Sequence, residues 1–261
     1  MLGDVGAAAG QVVLVTGASR GVGRAVATSF ARAGAAVAIA GRDRVALAET
    51  AAGIDALNAP VHVLAFDVTD DDACREAVAT AGERLGPITT LVNNAGIAES
   101  APFLKVSVEQ WRRTMAIDVE APLVLTQAVL PAMLEARRGA VINVASIAAK
   151  RGFAYVTAYT AAKHALLGLT RALAVEFAAS GVTFNCVCPY YIDTEMTQQT
   201  IDTIMAKTGQ SRAEAMTHLV NPQGNLVTPD DVAALCLFLA SPAAQSITGQ
   251  AYNIDGGMHQ S

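Results

Sequence analysis

The stretch YTAAKHALLGLT, residues 159–170, places a phenol and an amine four positions apart in an otherwise apolar helical segment. Side chains at positions i and i+4 share one face of a helix. A free phenol titrates near pH 10, and an ammonium about 4 Å away would stabilise its phenolate by on the order of 4 kcal/mol at an effective dielectric of 20. Tyr159 and Lys163 could therefore be an acid/base and its electrostatic partner, although an ordinary amphipathic helix can carry the same pair.

A glycine-rich turn, TGASRGVG at residues 16–23, follows the first apolar run. Gly17, Gly21 and Gly23 suit a tight turn whose backbone approaches a pyrophosphate at a helix N-terminus. Their spacing, G-x-x-x-G-x-G, meets the general dinucleotide fingerprint only loosely. Taken alone, this turn could serve the fold rather than a ligand.

Two polar motifs end later apolar runs. NNAG occupies residues 93–96, and Ser146 precedes Tyr159 by thirteen positions. Ligands of open α/β sheets bind at the carboxyl ends of the strands, so we expect both motifs and the glycine turn at one edge. A lone serine at such a place can equally be a cap or turn residue.

The elements that must position these residues alternate along the chain. Short apolar runs at 11–16, 36–40, 61–66, 89–93, 139–145 and 182–187 are separated by helical segments. Continuously apolar strands with helices between them indicate a parallel sheet covered on both faces. We predict an α/β fold, a Rossmann-like doubly wound parallel sheet with helices on both faces.

No linker, repeat or low-complexity tract interrupts this alternation, so we predict a single domain over residues 1–261. Residues 190–228 depart from it, being polar and rich in Thr, Met and Gln. Long insertions at the carboxyl ends of strands commonly cover ligands, and we interpret this one as a substrate lid.

Composition narrows the function. The chain of 261 residues is 52% hydrophobic, and its net charge of −5, with no basic cluster, argues against nucleic acid as a partner. No uncharged apolar run predicts a membrane span, and MLGDVGAAAG lacks the pattern of a secretory signal, so we expect a cytoplasmic protein. The four cysteines lack zinc-ligand spacing; we expect buried free thiols and no metal.

These motifs together resemble the short-chain dehydrogenase/reductase family. The glycine turn, NNAG, Ser146 followed by Y-x-x-x-K, and TGQAYNIDGG at 248–257 occur in the family's order and spacing. Each motif alone is weak, but their joint order makes coincidence very improbable. The resemblance extends from Gln11 to Gly257.

The resemblance implies roles for four residues. Tyr159 is similar to the family's catalytic acid/base, Lys163 to the lysine that lowers the pKa of that tyrosine and binds the nicotinamide ribose, and Ser146 to the serine that hydrogen-bonds the substrate oxygen. Asp118 takes the place of the family's fourth catalytic residue, an asparagine that holds a water linking the lysine to solvent. No metal is implied.

Asp118 departs from the family because a carboxylate cannot donate a hydrogen bond and can carry a charge. An anion about 7 Å from Tyr159 would oppose phenolate formation by roughly 2 kcal/mol at an effective dielectric of 20, which predicts a slower or alkaline-shifted enzyme. Alternatively, Asp118 is neutralised by Lys163 or turned to solvent. The sequence leaves both interpretations open.

A second departure lies in CPYYIDT, residues 188–194, where Tyr190 replaces the family's usual glycine. Its ring either enters the substrate pocket, with Tyr191 as a second wall, or packs elsewhere; we expect the pocket, because the lid begins here. We expect the substrate pocket to consist of Ser146 and of five residues with bulky side chains: Phe153, Tyr155, Tyr190, Tyr191 and Met196.

The resemblance also implies a set of residues that hold the cofactor. They are Gly17, Ser19, Arg20, Gly21, Val22, Gly23, Arg42, Asp67, Val68, Asn94, Ala95, Gly96, Tyr159, Lys163, Pro189, Ile192 and Thr194. Relatives that prefer NAD usually place an acid at the end of the second strand, where this chain has Gly41 followed by Arg42. Arg20 is a second cation for a 2′-phosphate, so we expect NADP(H), with NAD(H) possible because Asp43 is near.

The resemblance implies an oxidoreductase that interconverts a ketone and a secondary alcohol, acting on an apolar small molecule such as a 3-oxoacyl thioester or a free aromatic or alicyclic ketone. One alternative is an NAD-dependent alcohol or 3-hydroxyacyl dehydrogenase. Another is a nucleotide-binding regulator or structural subunit that turns over little because of Asp118. The apolar segments 107–136 and 156–179 fit the family's usual homotetramer.

Overall fold

A computed structural model describes residues 7–260, and its centre is a sheet of parallel strands. The amino-terminal residues MLGDVG, which belong to the segment expected to lack a secretory signal, lie outside the described residues. The spatial order of the strands is β3-β2-β1-β4-β5-β6-β7. Their bounds are β1 Val12–Thr16, β2 Ala36–Gly41, β3 Val61–Ala65, β4 Thr90–Asn93, β5 Gly139–Val144, β6 Val182–Pro189 and β7 Ala251–Ile254.

The central strands are buried along their whole length. Every residue of β1, β4 and β6 is buried, because helices cover both faces of the sheet and leave neither face to water. The parallel register pairs Leu14 with Ala38 on one side and with Leu91 on the other. Continuous apolar runs rather than alternating ones are the consequence.

Helices connect the strands on the two faces. They are α1 Gly21–Arg32, α2 Arg44–Asp55, α3 Asp71–Leu85, α4 Val108–Met115, α5 Ala121–Glu135, α6 Thr157–Glu176, α7 Glu195–Thr208, α8 Arg212–Thr217 and α9 Pro229–Leu239. One buried cluster joins α1, α2 and α9 to the sheet, and a second joins α3 and α5 to its opposite face. The predicted doubly wound α/β fold is confirmed.

The direction of winding reverses at β1, which lies between β2 and β4. Loops that leave β1 and β4 therefore diverge and open a crevice at the carboxyl edge, where such sheets bind ligands. The glycine turn follows β1, NNAG follows β4 and Ser146 follows β5. The fold thus brings the three motifs to one edge, as their positions after strands predict.

The helical run Val108–Glu135 combines α4, a π-helical turn at Ala116–Glu120 and α5. By length and composition alone this run could cross a membrane, which the sequence pattern did not indicate. Half of its most apolar window is buried inside the protein, and its buried residues pack against α3 and the sheet. It is a core helix of this fold.

The segment 190–228 forms a small structure of its own at the carboxyl edge. It contains α7 and α8, and Ile201 of α7, Ala215 of α8 and Leu219, which follows α8, form a separate buried cluster together with Tyr191. A bridge between Ile192 and Val227 joins its two ends. Its function as a lid stays a prediction.

All four cysteines are buried with free thiols, which confirms that expectation. Burial raises the pKa of Cys186 and of Cys236 to about 12, so these thiols stay protonated and unreactive at neutral pH. They pack as small apolar side chains.

Candidate active site

The glycine turn is built so that no side chain fits inside it. Gly17 and Gly21 have φ of +65° and +53°, a region that favours glycine. A Cβ on Gly23 would lie 2.2 Å from the carbonyl oxygen of Gly17. Helix α1, which starts at Gly21, has no side-chain cap and no acidic residue in its first turn. This bare, positively polarised helix end is suited to a phosphate group.

Thr16 joins the glycine turn to the NNAG loop. Its Oγ1 accepts hydrogen bonds from the backbone nitrogens of Asn94 and Ala95, each at 3.0 Å. The Asn94 side-chain amide in turn donates to the carbonyl oxygen of Thr16 at 2.9 Å. Sequence reasoning missed Thr16, whose only signal was its place as first residue of TGASRGVG.

The two arginines predicted to bind a 2′-phosphate both lie in ion pairs on the protein surface. Arg20 Nη1 is 2.6 Å from Glu195 Oε2 at the start of α7. Arg42 Nη1 is 3.5 Å from Oδ2 of Asp67, which is itself one of the residues predicted to hold the cofactor. The Thr69 N–H lowers the pKa of Asp67, and Arg42 adds to that effect. A phosphate would have to compete with these carboxylates for each guanidinium.

Ser146 and Tyr159 face each other across the loop between β5 and α6. Ser146 has an extended backbone and its Oγ accepts the Ala148 N–H at 3.1 Å, which fixes the side chain at the strand end. Tyr159 lies in the first turn of α6, close enough to Ser146 for the serine side chain to lower the pKa of the phenol. The two hydroxyls predicted to act on one oxygen are therefore adjacent.

Lys163 lies beneath Tyr159 with 3% of its surface exposed. Its Nζ donates to the Val144 carbonyl oxygen at 3.1 Å, lies 3.0 Å from Asp118 Oδ1, and is 5.5 Å from the centroid of the Tyr159 ring. Burial lowers the pKa of Lys163, but attraction to Asp118 and Tyr159 outweighs burial and the net shift is upward. The amine is therefore held as an ammonium.

Asp118 reaches the site from the π-helical turn, a local widening that often marks functional sites. It is fully buried, so the alternative that it turns to solvent is wrong. Oδ2 accepts the Ile97 N–H at 3.2 Å, while a Cβ on Gly96 would lie 2.5 Å from Oδ1. Burial raises the pKa of Asp118, and Lys163 and the Ile97 N–H oppose that shift.

The pKa of Tyr159 is the balance of these surroundings. Burial raises it, Lys163 lowers it, and Asp118 raises it again, so that the net shift is upward from the ordinary value of a phenol. Lys163 thus acts in the direction expected from its spacing. Asp118 therefore combines two of the effects considered from the sequence. It pairs with Lys163, and its charge still opposes formation of the Tyr159 phenolate.

The expected substrate-pocket residues do not form one wall. The Tyr190 hydroxyl donates to the His218 carbonyl oxygen at 3.4 Å, and its ring meets that of Tyr191 edge-on, with centroids 4.8 Å apart. Tyr191 packs in the small cluster of the 190–228 segment. Tyr155 and Met196 are 64% and 49% exposed, at the rim.

Three predicted cofactor residues lie where β6 enters the 190–228 segment. Pro189 is the last residue of β6 and is buried. Ile192 forms the bridge to Val227, and the Thr194 methyl would lie 3.3 Å from a Cβ on Gly21. Thr194 is therefore next to the glycine turn. The other predicted cofactor residues lie in the glycine turn, in NNAG, or after β2 and β3: Ser19, Val22, Arg42, Asp67, Val68 and Ala95.

A buried polar chain below the site escaped sequence reasoning. The Asn93 amide donates to Asn143 Oδ1 and the Asn143 amide donates to Thr170 Oγ1, both at 2.8 Å. Thr170 also lies 3.1 Å from Cys186 Sγ. The chain ties β4 and β5 to α6, the helix that carries Tyr159 and Lys163. No local pattern could indicate it, because its members lie in separate elements.

Comparisons with known proteins agree with this geometry. A family model described as enoyl-(acyl carrier protein) reductase matches residues 17–259. The chain is 39% identical to inactive 2-(S)-hydroxypropyl-CoM dehydrogenase 2 of Xanthobacter autotrophicus over 89% of this chain and 99% of the relative. It is 32% identical to the 3-oxoacyl-[acyl-carrier-protein] reductase FabG of Thermotoga maritima over 95% of this chain and 98% of that one.

A solved structure is similar over nearly the whole fold. The crystal structure of a variant of actinorhodin polyketide ketoreductase with NADPH has a TM-score of 0.91 and 31% sequence identity. The match covers 95% of this chain and 97% of the other. The sequence comparison and the structural comparison therefore both find reductases of oxo groups among the similar proteins.

Proposed function

We propose, because this chain belongs to the short-chain dehydrogenase/reductase family of oxidoreductases, that its site interconverts a ketone and a secondary alcohol with NADP(H). One observation carries the proposal: Ser146, Tyr159 and the buried Lys163 converge at the sheet edge that also holds the glycine turn. The resemblance in motifs and the family membership agree.

Tyr159 would exchange the proton with the substrate oxygen. Because Ser146 is near enough to lower the pKa of Tyr159, one carbonyl oxygen would meet both hydroxyls. Lys163 would favour the phenolate form during alcohol oxidation, since its ammonium is fixed by the Val144 carbonyl and by Asp118. Ser146 would hold the oxygen in place while the proton moves.

The chain has a fitting cradle for a nicotinamide cofactor, which would supply or take up the hydride. Gly17, Gly21 and Gly23 leave the turn free of side chains, and the uncapped start of α1 can accept phosphate oxygens. Asn94, Ala95 and Gly96 would line the same crevice, with Asp67 and Val68 at the adenine. Lys163 would bind the ribose, and Pro189, Ile192 and Thr194 would lie along the nicotinamide.

The preference for NADP(H) follows from charge. Arg20 and Arg42 can each pair with a 2′-phosphate, and no carboxylate occupies position 41. The structural relative described above was solved with NADPH. NAD(H) remains the alternative cofactor, and with it oxidation of a secondary alcohol or a 3-hydroxyacyl compound as the physiological direction.

The substrate would be an apolar ketone or a 3-oxoacyl thioester. Relatives are named for 3-oxoacyl-[acyl-carrier-protein], for 2-(S)-hydroxypropyl-CoM and for D-threitol, which all contain or yield a secondary alcohol. Residues 190–228 would close over it as a lid, and Phe153 and Tyr191 would contact its apolar part. We expect a homotetramer in the cytoplasm.

The test is a panel of ketones and 3-oxoacyl thioesters with NADPH and with NADH, followed by the loss of absorbance of the reduced cofactor. We expect turnover with NADPH, and a loss of more than about a thousandfold in the matched variant Tyr159→Phe, which lacks only the hydroxyl. Tight NADPH binding without turnover across the panel, and no gain from Asp118→Asn, would instead identify a nucleotide-binding regulator.

A further inference from the structure

Arg151 lies on the loop that links Ser146 to Tyr159. The loop follows the 3-10 turn Ile147–Ala149, and the Arg151 N–H donates to the Ile147 carbonyl oxygen at 3.2 Å. The far side of the loop is anchored by the Ala101 N–H, which donates to the Tyr155 carbonyl oxygen at 2.8 Å. Arg151 therefore lies at the rim of the proposed substrate site, at a place fixed by backbone hydrogen bonds.

Arg151 is exposed and lies in no ion pair within residues 7–260. Eight other arginines of that range likewise lie in no ion pair, whereas five do: Arg20, Arg24, Arg42, Arg113 and Arg212. The guanidinium carbon of Arg151 is instead 4.9 Å from the centroid of the Phe153 ring. A stacked guanidinium keeps its N–H groups free at the edge, where they can donate to an anion.

Two neighbouring aromatic residues, Tyr190 and Tyr191, follow β6 at the same edge of the sheet. Tyr159 and Tyr191 are close enough for their charges to interact, and the Tyr191 ring meets the Tyr190 ring edge-on. Burial raises the pKa of Tyr190, and the positive charge of Arg151 lowers it.

We propose that Arg151 binds an anionic group of the substrate, and that the substrate class is a ketone, or its alcohol, with an apolar spacer ending in a carboxylate, sulfonate or phosphate. The carbonyl would lie at Tyr159, the spacer along the tyrosine rings and the anion at the guanidinium. A planar guanidinium pairs with two oxygens of any of these groups. This inference rests on the proposed ketone reduction and specifies its substrate.

The test compares anionic ketones with neutral ones of the same shape. Levulinate and 7-oxooctanoate differ in spacer length, and the methyl ester of each removes the charge and adds one methyl group. The enzyme is compared with Arg151→Gln, with Arg151→Lys, which keeps the charge but not the planar fork, and with Arg75→Gln, which removes an exposed arginine from α3.

We expect Arg151→Gln to raise the KM for 7-oxooctanoate about fivefold to tenfold, and to leave the KM for its methyl ester within about twofold. Arg151→Lys should fall between, and Arg75→Gln should change neither. Equal effects of Arg151→Gln on acid and ester would overturn the proposal, and the retained ester activity shows that the variant is folded.

A second pair of substrates distinguishes the source of the anion. The 3-oxobutanoyl thioesters of pantetheine and of 4′-phosphopantetheine differ only in a phosphate. An effect of Arg151→Gln confined to the phosphorylated thioester identifies a carrier-bound substrate, and an effect confined to 7-oxooctanoate identifies a free keto acid. If Arg151→Gln weakens the binding of neither the phosphorylated thioester nor 7-oxooctanoate, the assignment of Arg151 as the anion site is contradicted.

Failure of the proposed function would be recognised separately. Binding of 7-oxooctanoate to the unmodified protein and to Arg151→Gln can be measured by calorimetry without turnover. If the protein reduces no ketone but binds this acid more weakly after Arg151→Gln, the proposed reaction is wrong and the anion site stands. If binding is unchanged, the anion site is wrong, whatever the activity.

Discussion

The Nζ of Lys163 lies 3.0 Å from Oδ1 of Asp118, and the two side chains are 4% and 0% exposed. A carboxylate so deeply buried is held there because the Lys163 ammonium and the Ile97 N–H both stabilise its charge. The same charge opposes ionisation of Tyr159. The pair therefore sets both the stability of the site and the pH at which the proposed acid/base works.

We expect Asp118→Asn to move the pH profile of alcohol oxidation toward lower pH. Oxidation needs the phenolate of Tyr159, and the Asp118 charge raises the pKa of that phenol. Removing the charge lowers the pKa, so the rising limb of kcat/KM against pH shifts to the acidic side and the rate at neutral pH rises several-fold. Superimposed profiles, or a shift to alkaline pH, would contradict this role.

Asp118→Ala should be far more damaging to stability than Asp118→Asn. It leaves the Lys163 ammonium and the Ile97 N–H without their buried partner, which costs about 3–5 kcal/mol of unfolding free energy. Urea unfolding of both variants measures the difference. A loss below about 1 kcal/mol in Asp118→Ala would show that the ion pair contributes little.

Gly41→Asp should turn the cofactor preference from NADPH toward NADH. The atoms nearest to a Cβ at this position would be those of the Leu47 side chain, at ordinary contact distances of 3.7–3.8 Å, so the fold tolerates it. The new carboxylate would repel a 2′-phosphate and accept ribose hydroxyls. We expect the ratio of kcat/KM for NADPH over NADH to fall at least about tenfold. Gly41→Ala, which adds bulk but no charge, should leave the ratio unchanged.

Thr16→Val should weaken both the fold and cofactor binding, because valine keeps the shape of threonine and removes its oxygen. The N–H groups of Asn94 and Ala95 would lose their acceptor, a cost of about 2–4 kcal/mol. Denaturant unfolding and a fluorescence titration with NADPH measure the two effects. Thr16→Ser retains the hydroxyl and should behave nearly as the natural chain, and equal losses in both variants would exclude the hydrogen bonds as the cause.

Gly23→Ala should abolish cofactor binding, whereas Gly53→Ala should stabilise the protein. The Cβ at position 23 would lie 2.2 Å from a backbone oxygen that cannot move without distorting the turn. Gly53 lies inside α2 with nothing within 4 Å of its Cβ, so alanine there should add about 0.5–1 kcal/mol. Calorimetric titration with NADPH and thermal unfolding measure both. NADPH binding by Gly23→Ala would show that the turn is not the phosphate site.

The amino-acid sequence predicted the sheet and the edge at which the motifs meet. Continuously apolar strands are buried on both faces, and the carboxyl ends of parallel strands lie at one edge, so the places of the glycine turn, NNAG and Ser146 follow from the order of elements alone. The helical repeat likewise places Tyr159 and Lys163 on one face of α6.

The sequence could not predict which distant side chains pair. Arg20 and Glu195 are 175 positions apart, and their ion pair depends on how the 190–228 segment lies against the glycine turn. The Tyr190 hydroxyl reaches the His218 carbonyl for the same reason. Rotamers and loop paths depend on the packing of many elements at once, and no local spacing encodes them.

What the sequence by itself determined is the fold and the family, and it also predicted the candidate reactive residues, because strand burial and helical period act locally. What only the tertiary structure decided is the electrostatic state of those residues. Asp118 faces Lys163 because a π-helical turn directs it inward beneath Gly96, where no side chain stands in its way. Burial then strengthens the interactions between the charges in the site. The charged groups that become neighbours across the fold therefore shift the pKa of Tyr159.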